Sequence, residues 1–122
     1  MSLGIVIVSH VPEIANGVSR LLAQIAKDVP ITQAGGTDDG GVGTSMEKIQ
    51  AAFANNGATE LLAFYDLGSA KMNLEMAMEF AEKPVHLYDV ALVEGAYTAT
   101  TLAAADVALP DIEKQLEPLK IK

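Results

Sequence analysis

The chain has 122 residues, 50% hydrophobic and 20% charged, with a formal net charge of −8 and no cysteine. That length suits a single domain spanning residues 1–122 with one core. The missing cysteines exclude disulfides and thiolate chemistry, and the acidity disfavours nucleic acid and anionic membrane surfaces as partners.

Leu3 to Ser9 is an almost continuous β-branched apolar run, the pattern of a strand covered on both faces. No basic residue precedes it, and it is too short for a signal peptide. No apolar run reaches the roughly 18 residues that cross a membrane, so a cytoplasmic protein is expected. Pro12 suits a first helical turn, and Ile14, Val18, Leu21, Leu22 and Ile25 recur at helical spacing, which predicts a helix over about 12–28. Val29 to Ala34 reads as a second strand. Gly35 to Gly43 is the only glycine-rich loop, long enough to suggest function. Thr44 and Glu47 match a capping box, with Thr44 as N-cap of a second helix whose buried face carries Met46, Ile49 and Phe53. Asn55, Asn56 and Gly57 stop it.

Glu60 to Asp66 reads as the third strand, followed by a tight turn into a helix with Ser69 as N-cap and Leu74, Ala77 and Phe80 inward. Lys83 and Pro84 end that helix. Val85 to Tyr88 is a short fourth strand, Val93 to Ala105 an alanine-rich helix, and Pro110 opens a last helix with Ile112, Leu116 and Leu119 inward. Lys120 and Lys122 read as a solvated tail. The order βαβαβαβαα predicts an α/β fold: an open, mainly parallel four-stranded sheet with helices on both faces. The apolar character of Met72 to Phe80 and Val93 to Ala105 suggests a self-association face.

Ligands of open α/β sheets bind beyond the carboxyl ends of the strands. Ser9, His10, Gly43, Thr44, Asp66 to Ser69 and Leu92 to Gly95 fall there. A neutral imidazole can carry phosphate as a phosphoramidate, provided that one ring nitrogen is held so the other presents its lone pair. His10 is the candidate nucleophile and Asp66 the candidate orienting group. With Arg20 the only arginine, an anionic phosphoryl must be received by backbone N–H groups, for which Gly43, Thr44, Gly68 and Ser69 are candidates. The blander readings are a structural hydrogen-bonding role for His10, turn roles for Asp38 and Asp39, and packing or polar infill for His86. Met72, Met76 and Met78 read as core filling or a protein contact, and Glu94 as either a site residue or a first-turn acid. The glycine loop has no P-loop lysine and no dinucleotide fingerprint, and no metal-ligand spacing occurs, so no metal is expected.

Val6 to His10, Gly36 to Asp39, Gly43-Thr44, Asp66 to Ala70 and Leu92 to Gly95 together resemble the phosphotransferase subunit of the phosphoenolpyruvate-dependent dihydroxyacetone kinase. That family is similar to the IIA domain of mannose-class sugar phosphotransferase systems, and the resemblance runs from residue 3 to about 105. It implies that His10 accepts phosphate from the histidine phosphocarrier protein. His10 would then rephosphorylate ADP held on the kinase's nucleotide-binding subunit, so this chain would bind no cofactor itself. It also implies a homodimer. Val11-Pro12 departs from the small polar residues that members often carry after the histidine. Two alternatives stand beside this reading. One is a mannose-class IIA subunit for sugar uptake, although the usual tryptophan-containing turn after the third strand is absent. The other is a non-enzymatic anion- or small-ligand-binding module, which would need the glycine loop but not His10.

Overall fold

The apolar run Leu3–Ser9 forms strand β1 at the centre of the molecule in a computed structural model that describes residues 2–122. Its alternation sorts the core into two halves. Ile5 and Ile7 face one side, and Val6 and Val8 the other, all fully buried. Such two-sided burial requires cover on both faces, and the helices supply it.

The elements follow in order. Helix α1 is Pro12–Ile25, β2 Ile31–Gly35, α2 Met46–Asn55, β3 Glu60–Tyr65, α3 Ser69–Glu79, β4 Val85–Tyr88, α4 Leu92–Ala104 and α5 Leu109–Leu116, with a 3-10 turn at Glu117–Leu119. The strands form one parallel sheet in the order β2-β1-β3-β4. Helices α1, α4 and α5 pack on the Ile5 and Ile7 side with Leu62 and Phe64. Helices α2 and α3 pack on the Val6 and Val8 side with Leu61, Ala63 and Tyr65. The expected α/β sheet with helices on both faces is what the chain forms. The connection leaving β1 runs to β2 on one side, and the connection leaving β3 runs to β4 on the other. The crevice beyond β1 and β3 is therefore the switch point where such folds bind ligands.

Several boundaries differ from the sequence reading. Helix α1 ends at Ile25, not near residue 28, because Ala26 leaves the helical region and is buried. Pro30 has no N–H to donate to the sheet ladder, and β2 starts only at Ile31. The N-cap of α2 is Ser45, one residue after Thr44: its Oγ accepts the Lys48 N–H at 3.2 Å. The N-cap of α3 is Gly68, with no side-chain cap, and Ser69 is the first helical residue. Phe80 is 67% exposed, because α3 ends at Glu79 and the buried stripe is Ala70, Leu74 and Ala77. Asn56, expected only to stop α2, is buried and binds Ile5 O, Thr32 Oγ1 and the Ala58 N–H, tying the lower ends of β1 and β2 together. His86, read as packing or infill, pairs with Glu60 across β4 and β3 at 2.5 Å.

Helix α4 sits so close to Val90 that a Cβ on Gly95 would lie 2.3 Å from Val90 Cγ2, whereas one on Gly17 in α1 would meet nothing within 4 Å. Glycine in a helix interior ordinarily costs up to about 1 kcal/mol relative to alanine, and overpacking a filled core costs about 1–3 kcal/mol. The two alanine substitutions should therefore have opposite signs: Gly17→Ala raises the urea midpoint and Gly95→Ala lowers it. Equal shifts of one sign would contradict this packing of α4.

Candidate functional site

Strands β1 and β3 pair in parallel register through Val8 and Tyr65. Asp66 lies one residue beyond this pair and His10 two, so the two side chains leave the sheet at the same edge. The Asp66 carboxylate receives four hydrogen bonds. Oδ2 accepts the Ser9 hydroxyl at 2.8 Å and the His10 N–H at 3.0 Å. Oδ1 accepts its neighbour's Leu67 N–H at 2.8 Å and lies 2.9 Å from His10 Nδ1. Burial alone would raise the carboxyl pKa. The bonds from the His10 backbone and ring, Ser9 and Leu67 outweigh it and hold Asp66 below the ordinary aspartate value.

An ionised carboxylate can only accept, so the proton on the neutral His10 ring belongs on Nδ1 and the lone pair on Nε2. Nε2 points outward, where Ser69 Oγ lies at 2.6 Å. Ser69, the first helical residue of α3, therefore meets His10 through its side chain and does not cap the helix. The imidazole itself is mostly covered, with only 14% of its side chain accessible.

The glycine loop buttresses the histidine. Gly36 N–H donates to Ser9 O at 3.1 Å and Gly43 N–H to His10 O at 2.8 Å. Gly43 holds a φ of +144°, and a Cβ there would crowd Thr37 Cγ2 at 2.8 Å, so the position needs glycine. Of the four candidate phosphate-binding residues, Gly43 is thus already committed through its amide. The N–H groups of Thr44, Gly68 and Ser69 make no hydrogen bond among the described residues. Thr44 Oγ1 accepts from Asn73 Nδ2 at 2.7 Å, linking the loop to α3. Asp38 accepts from Ser45 Oγ, and Asp39 accepts from Thr37 Oγ1 at 2.5 Å, in keeping with turn roles. Glu94 is exposed at the start of α4, and no hydrogen bond joins Leu92 to Gly95 with His10 or Asp66.

Sequence reasoning gave Ser9 no role, although it stood inside the quoted motif. It also took Lys122 as solvated tail. Instead, Lys122 Nζ donates to Tyr65 O at 2.6 Å and Asp66 O at 2.8 Å. Nothing local in the sequence marks that contact. Among the described residues, no three His, Asp or Glu side chains gather to hold a metal ion, and no helix is long and apolar enough to cross a membrane.

The family model for the fructose IIA component of the phosphotransferase system, EIIA-man, matches residues 4–113. The phosphotransferase subunit of a PTS-dependent dihydroxyacetone kinase from Lactococcus lactis subsp. lactis is 44% identical over 100% of this chain and 99% of its own. The phosphoryl donor subunit of PEP-dependent dihydroxyacetone kinase 1 from Listeria innocua is 42% identical over 98% of this chain and 96% of its own. A crystal structure of a protein of unknown function superposes with a TM-score of 0.86 at 31% identity, covering 100% of this chain and 98% of that one.

Because the Asp66 carboxyl titrates lower in the folded chain than in the unfolded one, it contributes stability that is present above about pH 4 and lost as pH falls through the lower folded value. Asp39 and Asp89 are lowered as well and share this acid limb. Asp66→Asn should therefore flatten, without abolishing, the fall in thermal midpoint between about pH 5 and pH 2. An unchanged acid limb in calorimetry would show that the four bonds do not favour the ionised carboxylate.

Proposed function

The chain belongs to the family of IIA components of the phosphotransferase system, and we propose that it is the phosphoryl-carrying subunit of a phosphoenolpyruvate-dependent dihydroxyacetone kinase. The observation that carries the proposal is the pinned imidazole: Asp66 holds Nδ1, and Nε2 faces the sheet edge. The two dihydroxyacetone kinase relatives, each matching nearly end to end, support this substrate over sugar uptake.

In the proposed cycle, the Nε2 lone pair attacks the phosphorus of a phosphohistidine on the histidine phosphocarrier protein. The new P–N bond forms as the donor's P–N bond breaks, and the electron pair returns to the donor's imidazole. Nδ1 keeps its proton throughout, so the phosphorylated ring carries positive charge that the adjacent Asp66 carboxylate stabilises. Ser69 Oγ lies where the phosphorus must arrive. Its hydroxyl rotates away from Nε2 and turns to a phosphoryl oxygen, which the free N–H groups of Gly68 and Ser69 at the start of α3 also receive. In the second half-reaction, the phosphoryl passes to ADP bound on the kinase's nucleotide-binding subunit. The chain itself binds no nucleotide and handles neither dihydroxyacetone nor phosphoenolpyruvate. Such transfer between protein surfaces rests on positioning and charge placement.

The reading includes a cytoplasmic homodimer. Met72 (71% exposed) and Met76 (45%) on α3 and Phe80 (67%), the residue just past its end, are spaced four apart and supply an apolar stripe for a second copy.

Intact-mass spectrometry at neutral pH tests the proposal, with phosphoenolpyruvate, enzyme I and the histidine phosphocarrier as the donor mixture. The wild type should gain one phosphoryl group that acid removes and that ADP-loaded kinase subunit discharges, while His10→Ala gains none. Phosphorylation without discharge would favour the sugar-uptake branch. No added mass would leave an anion-binding module.

A further inference from the structure

The end of the chain returns to the site. Ile121 and Lys122 donate their N–H groups to Asp89 O at 3.1 and 3.3 Å, and Ala91 N–H donates to Leu119 O at 3.0 Å. Val90 and Lys120 form an antiparallel bridge. This strap carries the Lys122 ammonium across the carboxyl end of β3. There it donates to Tyr65 O and Asp66 O and stands 4.3 Å from the centre of the Tyr65 ring.

Two successive carbonyls cannot meet one ammonium in a regular strand, where they point to opposite sides. They converge here because the chain bends at Asp66. That bend is also what lets the Asp66 carboxylate turn back to accept the Leu67 N–H and reach His10 Nδ1. The same corner is braced from beneath. Asp89 Oδ1 accepts the Tyr65 hydroxyl at 2.6 Å, and Oδ2 accepts Lys71 Nζ at 3.0 Å from the first turn of α3. Lys122, Tyr65, Asp89 and Lys71 thus join the strap, β3 and α3, the helix that presents Ser69 to Nε2. Burial lowers the Lys122 pKa, opposed by the charges of Asp66 and Asp89, as expected of an ammonium drawn out of solvent into a defined contact.

We propose that Lys122 is a positioning residue for phosphoryl transfer: by clamping the Tyr65 and Asp66 carbonyls it fixes the bend that aims the Asp66 carboxylate at His10 Nδ1. Its kinetic part rests on the phosphocarrier reading, while its structural part does not. Lys122→Met removes the clamp and keeps most of the apolar stem over Tyr65, and Lys122→Arg restores donors that can reach both carbonyls.

The first readout is the 15N NMR signature of the His10 ring in the unphosphorylated full chain. Wild type and Lys122→Arg should show the tautomer with the proton on Nδ1, and Lys122→Met a mixture of the two tautomers. The second readout is phosphorylation kinetics with the histidine phosphocarrier as donor. Lys122→Met should lower kcat roughly tenfold, the lower end of what partners behind a functional ligand contribute, with the donor KM unchanged and the rate recovered in Lys122→Arg. A Lys122→Met protein with the wild-type tautomer and wild-type kcat would overturn the proposal. So would a loss confined to thermal stability. If even the wild type takes up no phosphoryl, the phosphocarrier reading falls, and the tautomer comparison still decides whether Lys122 sets the Asp66 geometry.

Discussion

The contact between His10 Nδ1 and Asp66 Oδ1 is the constraint around which the functional end of this molecule is arranged. Two residues 56 positions apart must meet within hydrogen-bond distance, and each must present one particular edge. Parallel pairing of β1 with β3 supplies the proximity, since both strands end at the same level of the sheet. The remaining donors to the carboxylate, from Ser9, the His10 backbone and Leu67, supply the orientation. A carboxylate held by four donors stays ionised and cannot rotate without losing several of them, so the ring proton is confined to Nδ1.

That arrangement depends in turn on the core. Central strands buried on both faces cannot slip by one residue without exchanging Ile5 and Ile7 for Val6 and Val8 against unlike helix layers. The register that brings His10 to Asp66 is therefore the register the packing selects. Apart from the Lys122 ammonium on the Asp66 carbonyl, the groups around it are neutral: glycine amides, three hydroxyls and the start of α3. An acidic chain with a single arginine can receive an anion in this way, because oriented N–H dipoles provide positive potential without a charged cluster.

Much of this was legible from residues alone. The two-faced run Leu3 to Ser9, the alternation of strands and helical spacings, and the rule for strand ends identified the sheet and brought His10, Asp66 and Ser69 to one edge. The details that were missed depend on side-chain competition. Thr44 and Ser45 are equally good caps by type, and the cap fell to Ser45 because the Thr44 hydroxyl is engaged by Asn73. Ser69 resembled a cap, yet it is the first helical residue and its hydroxyl meets His10 Nε2. The Gly43 amide looked free for a phosphoryl but serves the His10 carbonyl. Phe80 fitted the inner stripe only if α3 continued, and the helix ends one residue before it. The long-range contact of Lys122 carries no periodicity or spacing that a linear reading could detect.

The measurement that bears most directly on the central claim is the site of the P–N bond. Two-dimensional 1H–15N NMR of the phosphorylated protein, with 31P coupling, distinguishes the two ring nitrogens. A phosphoryl on Nε2, with the proton retained on Nδ1, is what the Asp66-held imidazole requires. A phosphoryl on Nδ1 would mean that the contact with Asp66 breaks before transfer, and would contradict the account.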